Sequence, residues 1–340
     1  MVRIRIQDVA REAGVGVGTV SRVLSGSPRV AAATRQRVLA TIERLGYAPV
    51  LAARALRTGR THVLRAVVPL FQRHFYAEVL RGIERALAGS GYSLAVAGVE
   101  ERRERDHWLR LPGGRTRADG QLIVSLTPSA GEARQLRTAP WPTVLVDATA
   151  EGLPSVGVDH AAAARQVVAH LLRLGHTRIA LVDCPADPFA LHPPAARREG
   201  YRAALATAGV PTSPAYELVT ACSALAGATA LERLLALPTP PSAICFGSDV
   251  QAVGALHAAR GRGLRVPGDL SIVGYGDTEL AECVGLTTVH IPMRELGERA
   301  ATLLLRALDG DTPLTPCELP VALVVRASCG APPVDAGSRG

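Results

Sequence analysis

Residues 6–24 read IQDVAREAGVGVGTVSRVL, and this stretch predicts two short helices joined by a tight turn. Apolar residues recur in its first half at the spacing of one helix face, and Gly14 is a residue type that commonly ends a helix. Glycine and valine alternate in the turn over 15–18, and apolar residues again recur at helical spacing in the second half. A longer helix is predicted over about 31–45, with Gly46 at its end. Two short helices with a third packed across them form a helix-turn-helix unit.

Two other interpretations of this stretch are a phosphate-binding loop and a three-helix bundle without a ligand. Gly14, Gly16 and Gly18 supply the glycines that a phosphate loop uses. Such a loop needs a preceding strand and a following long helix, whereas here a helix precedes the glycines. The pattern therefore argues against the phosphate loop, and the distribution of charge bears on the bundle.

Positive charge is concentrated in the same part of the chain. The chain has 340 residues and a net charge of +8. Residues 1–60 contain eleven arginines and three acidic residues, which accounts for all of the net charge, and the other residues carry equal numbers of both. A basic head on a neutral body is typical of a protein that binds a polyanion, most often nucleic acid. This distribution favours a DNA-binding unit over a bundle without a ligand.

Composition excludes several other classes of protein. Hydrophobic residues make up 48% of the chain and charged residues 20%, which is typical of a globular protein and not of a disordered one. The apolar runs are short, so we expect no membrane span, and the first residues lack the apolar segment of a signal peptide. Six widely spaced cysteines without a CxxC pair predict reduced thiols in a cytoplasmic protein, with neither a disulfide framework nor a metal site.

The pattern changes from about residue 62, where predicted strands begin to alternate with helices. Alternating βα units predict parallel, doubly wound sheets, and the number of strands exceeds one comfortable sheet. A break near Asp159 divides the body into two α/β lobes. Two such lobes leave a cleft at the carboxyl ends of their strands, where ligands bind in this fold. The predicted domains are a helix-turn-helix domain over 1–48, a linker over 49–61 and a ligand-binding domain over 62–340.

The chain resembles the lactose/galactose repressor (LacI/GalR) family of bacterial transcription regulators. The resemblance begins in the stretch quoted above and continues through TRQRV at 34–38, LGY at 45–47 and RALRTG at 54–59. It implies an all-α helix-turn-helix head and a body like that of the periplasmic sugar-binding proteins. The implied lobes are about 62–159 with 292–320, and about 160–291 with 321–331.

The resemblance implies that the second helix lies in the major groove of operator DNA. Arg22 is expected to make a bidentate contact with guanine, because a guanidinium matches the two acceptors of that base. Hydroxyl groups and Arg35 are expected at phosphates, which position the protein without reading the sequence. The residues implied to contact DNA from the head are Val17, Gly18, Thr19, Ser21, Arg22, Arg29, Thr34 and Arg35.

Residues 49–61 have a helical composition, but a helix this short is marginal in water by itself. The resemblance implies that it pairs with the same helix of a second subunit in the minor groove, with Arg54 at the DNA. Leu56 would then wedge between base steps and bend the duplex. A homodimer would read a pseudo-palindromic operator, since the symmetry of the protein is mirrored in the site. An ordinary tether is the alternative.

Motif matches also imply which residues bind a small-molecule effector in the cleft. Carboxylates, arginines and an aromatic wall are the groups that a sugar requires. Arg197 is matched to the ligand-binding arginine of the family, with a structural salt bridge as the alternative. The predicted effector-binding residues are Arg73, Phe75, Tyr76, Asp147, Arg197, Cys222, Ser248, Asp249, Tyr275 and Gly276.

The chain departs from the family pattern inside this cleft. Ser248 stands where asparagine is usual, and Gly276 stands where an acid is usual. Arg73 and His74 lie in the first cleft loop. A cleft with one acid fewer and two more basic groups predicts an anionic sugar derivative as effector in place of a neutral monosaccharide. Loss of effector response altogether is the alternative.

The chain shows no G-x-S-x-G, H-E-x-x-H or P-loop motif, so we expect no enzyme, no cofactor and no metal. The predicted function is that of a cytoplasmic, homodimeric, DNA-binding transcription regulator, a repressor whose operator affinity a small molecule controls. A sugar-binding protein without DNA activity is the remaining alternative, but it would leave the basic head unused.

Overall fold

The computed structural model describes residues 4–24, 27–47, 60–69, 73–110, 118–185, 193–311 and 314–333. The chain divides into two compact units, residues 1–62 and residues 63–340. The predicted hinge residues Arg54 and Leu56 lie outside the described residues, so their roles stay predictions, as do the domain bounds. Within the described residues, no helix combines the length and apolar character that crossing a membrane requires.

The first unit contains α1 (Ile6–Glu12), α2 (Val17–Leu24) and α3 (Ala32–Leu45). Val9, Val20 and Val38, one from each helix, are fully buried in a shared core. Gly46 ends α3 at a φ of 61°, in the left-handed region where a side chain is strained. The arrangement is the predicted pair of short helices with a longer helix packed across it.

The second unit contains two six-stranded sheets. The strands of the first sheet are β1 (Val63–Pro69), β2 (Ser93–Val99), β3 (Gly120–Val124), β4 (Thr143–Val146), β5 (Ser155–Val158) and β11 (Cys317–Leu319). Those of the second are β6 (Ile179–Asp183), β7 (Glu217–Val219), β8 (Ala243–Phe246), β9 (Ser271–Gly276), β10 (Thr287–His290) and β12 (Ala322–Val324). The strand orders are β11-β5-β4-β3-β1-β2 and β12-β10-β9-β8-β6-β7. Among the described strands, all pairings are parallel except that of β12 with β10.

Helices cover both sheets. They are α4 (His74–Leu87), α5 (Arg102–Arg110), α6 (Ala130–Arg137), α7 (His160–Arg173), α8 (Pro193–Thr207), α9 (Ala224–Leu235), α10 (Asp249–Gly261), α11 (Glu279–Cys283) and α12 (Met293–Leu308). A single 3₁₀ turn, Pro214–Tyr216, precedes β7. The central strands β1, β3 and β4 are buried along nearly their whole length, as expected for parallel strands covered on both faces. The predicted fold class is confirmed.

Several elements of the second unit carry little periodic signal in the sequence, among them the strands β5, β10 and β11. The three strands have only three or four residues each, too few for a recognisable alternation of apolar and polar positions. Helix α5 is strongly charged and buries only Leu109, so it lacks the apolar face on which a prediction would rest.

Candidate functional site

A cavity of about 370 Å³ lies in the second unit, and residues at or beyond the strand ends of both sheets line it. Its walls come from residues directly after parallel strands, such as Asp147 after β4, Cys184 after β6 and Ser248 beyond β8. Carboxyl ends of parallel strands meet at one edge of a sheet, so residues far apart in sequence converge there. The structure brings nine of the ten predicted effector residues to the cavity: Arg73, Phe75, Tyr76, Asp147, Arg197, Cys222, Ser248, Tyr275 and Gly276.

A chain of hydrogen bonds crosses the cavity from Asp147 through His160 to Tyr275. Asp147 Oδ1 lies 2.9 Å from His160 Nε2, and His160 Nδ1 lies 2.6 Å from the Tyr275 hydroxyl. Burial raises the pKa of Tyr275, so its hydroxyl stays protonated and can donate to Nδ1. With Nδ1 accepting this hydrogen bond, Nε2 carries a hydrogen and donates to the carboxylate. His160 was not among the predicted effector residues, because a lone histidine at the start of a helix carries no signal of its partners.

Arg197 forms a buried ion pair with Asp183. Its Nη2 lies 2.6 Å from Asp183 Oδ1 and its Nε 3.2 Å from Oδ2, a bidentate arrangement. Burial by itself lowers the pKa of Arg197, but the adjacent carboxylate outweighs this and raises it. The guanidinium also lies 4.8 Å from the centre of the Tyr275 ring. Arg197 therefore lines the cavity with its charge already balanced, and its contact with an effector stays a prediction.

Asp249 is the predicted effector residue that does not line the cavity. It is 1% exposed and accepts hydrogen bonds from the Thr278 amide at 2.7 Å and the Thr288 hydroxyl at 2.6 Å. Burial raises its pKa. Gly276, which does line the cavity, has a φ of 131° that a side chain rarely adopts. An acidic residue at this position would therefore require a change of the local backbone.

Arg73 brings positive charge to the cavity without an ion-pair partner among the described residues, and His74 lies beside it in the chain. Arg73 precedes α4 and His74 is its first residue. Both residues line the cavity, but His74 interacts electrostatically with the Glu78 carboxylate. The acids around the cavity differ, because Asp147 and Asp183 are each hydrogen-bonded to a basic side chain. The sequence departs from the family pattern at these positions, and in the structure this departure places basic side chains at the cavity wall.

The expectation of six reduced cysteines is wrong, because Cys184 and Cys222 are joined by a disulfide. Strands β6 and β7 are parallel neighbours, with Asp183 opposite Val219, so the chain leaves both strands at the same edge. A separation of 38 residues hides this proximity in the sequence. The other four cysteines are free. Within the described residues, no group of three or more His, Cys, Asp or Glu side chains is placed to hold a metal ion.

The predicted DNA-contacting residues of the first unit lie on α2, on α3 and in the loop between them. Val17, Gly18 and Arg22 are exposed along α2, where Arg22 Nε donates to the Gly18 carbonyl at 3.1 Å. Arg29 is exposed in the loop, and Thr19, Ser21, Thr34 and Arg35 are half-buried. The Arg35 guanidinium donates to the Ser27 carbonyl, which ties α3 to the loop. Their contacts with bases and phosphates stay predictions.

Comparison with known proteins assigns both units. Residues 5–50 match the profile of the bacterial regulatory proteins of the lacI family, and residues 168–329 match the periplasmic binding protein-like domain. The chain is 35% identical over 317 residues to catabolite control protein A of Priestia megaterium, covering 92% of this chain and 94% of that protein. It is 34% identical over 313 residues to the ribose operon repressor of Escherichia coli K12, covering 90% and 94%.

A solved structure extends the similarity to the whole fold. The crystal structure of the Lac repressor dimer bound to operator and the anti-inducer ONPF matches with a TM-score of 0.84 and 29% identity. The match covers 97% of this chain and 100% of that one. The resemblance noted in the sequence is confirmed over nearly its full length. The chain belongs to the LacI family of bacterial regulatory proteins, and it is a DNA-binding transcription regulator.

Proposed function

We propose that this chain is a repressor that binds pseudo-palindromic operator DNA as a homodimer and responds to an anionic sugar derivative, such as a sugar phosphate. The observation that carries the choice of ligand is Arg73, which lines the cavity without an ion-pair partner among the described residues and has the basic side chain of His74 next to it in the chain. The similarity to the Lac repressor dimer bound to operator supports the DNA and dimer parts of the proposal.

The charges around the cavity favour an anion. Asp147 and Asp183 are held by His160 and Arg197, so they have less capacity to accept bonds from sugar hydroxyls. The Arg73 guanidinium, in contrast, offers several donors in one plane, the arrangement that binds phosphate or carboxylate oxygens in pairs. A negatively charged ligand group near Arg73 would supply the negative charge that the cavity lacks because glycine stands at position 276.

The size and walls of the cavity favour one small, partly polar molecule. A volume of about 370 Å³ is in the range of single-ligand sites. Phe75 and Tyr76 stand edge to face, with ring centres 5.3 Å apart, and supply an aromatic wall beside the two basic groups. A ligand in contact with both lobes would favour one degree of lobe closure, and thereby shift operator affinity between two conformations.

Isothermal calorimetry with matched pairs of a sugar and its phosphate tests the ligand class. A thermal-shift screen first selects the pair, and operator release by the same compound is then measured by gel shift. The phosphate should bind at least tenfold more tightly than the parent sugar, which corresponds to one strong charge-assisted contact. Arg73→Ala should abolish this difference. Arg85→Ala is the matched control, because Arg85 lies on the same helix but outside the cavity.

A neutral sugar that binds tightly, and still binds tightly after both Arg73→Ala and His74→Ala, would refute an anionic effector. A chain that binds operator but no compound in the screen would support the alternative that effector response has been lost. A chain that binds sugar without binding DNA would support the sugar-binding alternative. We propose no catalytic activity, in line with the relatives that the chain matches, which are transcription regulators.

A further inference from the structure

The disulfide between Cys184 and Cys222 stands at the wall of the effector cavity. Cys184 directly follows β6, and Cys222 lies in the loop between β7 and α9. Their Cα atoms are 5.3 Å apart, within the range that a disulfide spans. Both residues line the cavity. The bond therefore ties the loop over 220–223, which forms part of the wall, to the end of a central strand.

The residues around Cys184 and Cys222 can accommodate both the disulfide and the two separate thiols. Gln251 Oε1 lies 3.6 Å from Cys184 Sγ and can accept a hydrogen bond from the thiol when the disulfide is open. The same side chain donates from Nε2 to the Thr220 hydroxyl at 3.0 Å and to the Ala221 carbonyl at 3.1 Å. After reduction, the buried Cys184 thiol therefore still has an acceptor. The loop loses the disulfide but keeps its hydrogen bonds to Gln251.

The two sulfurs differ in exposure. Cys184 is 5% exposed, whereas Cys222 is half-buried and faces the cavity, which gives a small reagent a route to its sulfur. A pair with one accessible and one sheltered sulfur suits an attacking thiol and a resolving thiol. Cys283, by comparison, is exposed but free, so exposure alone does not distinguish the pair.

We propose that Cys184 and Cys222 form a reversible disulfide that makes the effector cavity sensitive to the thiol redox state. The oxidant is a low-molecular-weight disulfide such as glutathione disulfide. The Cys222 thiolate attacks one of its sulfurs, which forms a mixed disulfide and expels one glutathione thiolate. The Cys184 thiolate then attacks the Cys222 sulfur and expels the second. Two cysteine thiols lose two electrons in total, and their two protons end on the two glutathione thiols.

Opening the bond changes the cavity wall because two thiols cannot remain at bonding distance. Bonded sulfurs are about 2 Å apart, whereas separate thiols must move to van der Waals contact. Only the loop over 220–223 can take up this movement easily, since Cys184 is buried and its amide donates to Asp183 Oδ1 at 2.7 Å. Asp183 also holds Arg197, so the shift occurs beside a predicted effector contact. The effect on effector binding, unlike the disulfide itself, rests on the proposed function.

Thiol trapping of the full-length chain tests the modification. The protein is equilibrated in glutathione buffers from fully reducing to fully oxidising, alkylated with iodoacetamide and digested with trypsin. Oxidising buffers should yield a linked pair of the peptides 179–197 and 203–233, and reducing buffers should yield both peptides alkylated. Cys184→Ser and Cys222→Ser should each abolish the linked pair, whereas the control Cys283→Ser should retain it. A missing link in the most oxidising buffer, or one that persists in the most reducing buffer, would overturn the proposal.

Hydrogen–deuterium exchange tests the effect on the wall without any effector. Reduction should speed amide exchange in the loop over 220–223 by about fivefold, because one attachment is lost. It should also lower the melting temperature of the second unit by something on the order of 5 °C, as expected for a disulfide that closes a loop of this length. Equal amide exchange in the oxidised and the reduced protein would refute redox control of the cavity wall, even if the disulfide forms.

Glucose and glucose 6-phosphate, used as probes of the cavity, then separate this proposal from the one on which it rests. Reduction should weaken whichever probe binds by about three- to tenfold, because the loop is less well ordered beforehand. Probe binding that is equal in both redox forms would overturn redox control of the cavity. Neither probe binding would count against the proposed ligand. If thiol trapping and hydrogen exchange still give the expected results, the proposal of a redox-sensitive cavity wall is supported independently.

Discussion

Replacing Asp183 with asparagine should destabilise the second unit by about 3 kcal/mol, since it removes the carboxylate that is hydrogen-bonded to the buried Arg197 guanidinium. Asp183 is 0% exposed and Arg197 is 7% exposed, so water has little access to the lost contacts. Asparagine has nearly the same volume, so no cavity forms and the effect reports charge. Removing one partner of a buried pair costs about 3–5 kcal/mol. We expect the lower end, because the Tyr275 ring remains 4.8 Å from the guanidinium.

Thermal unfolding of the purified chain measures this cost. A loss of about 3 kcal/mol should lower the melting temperature by about 6 °C for a unit of this size. Glu295→Gln is the control, because its pair with Arg299 is exposed and should contribute no more than about 0.5 kcal/mol. The double variant Asp183→Leu with Arg197→Met should recover most of the stability, since it buries no unpaired charge. A loss below about 1 kcal/mol for Asp183→Asn would refute the reasoning.

Three further predictions concern DNA recognition and stability. Arg22→Ala should relax base specificity by about 1–3 kcal/mol, whereas Arg35→Ala should weaken binding to all sequences alike; equal effects on selected and random DNA for both variants would contradict this division. Leu56→Ala should weaken operator binding in a gel-shift titration with no change in melting temperature, and unchanged affinity would exclude a wedge at this position. Burial alone raises the pKa of Glu132, but the Arg105 guanidinium and Ser129 lower it from 4.5 to about 2. The stability that this carboxylate contributes is therefore complete above pH 4.5 and lost as the pH falls through 2, so Glu132→Gln should flatten the decline of melting temperature in that window.

Much of the candidate site was predictable because it combines local motifs. Phe75 and Tyr76 open a helix, Asp147 ends a strand, and Arg197 lies three residues before a glycine in a family motif. Each of these positions is defined by its neighbours in the chain, and all four line the cavity. Asp249 was predicted in the same way, but it lies outside the cavity, where hydrogen bonds from Thr278 and Thr288 hold it. Its neighbours in the chain give no sign of these bonds.

The partners of these side chains were not predictable in the same way. Tyr275 meets His160 across a separation of 115 residues, and Cys184 meets Cys222 across 38. No spacing in the sequence records which strands become neighbours in a sheet. The expectation of reduced cysteines was wrong for this reason, since it treated each cysteine by its local context.

The sequence by itself determined the helix-turn-helix unit, the alternating α/β body and the placement of the whole net charge in the head. These properties follow from residue periodicity and composition, which are local or additive along the chain. Only the tertiary structure decided that Asp183 neutralises Arg197, that Arg73 stays unpaired within the described residues, and that two cysteines close one wall of the cavity. Such pairings depend on which strand ends lie side by side, and that order is set by packing of the complete sheet.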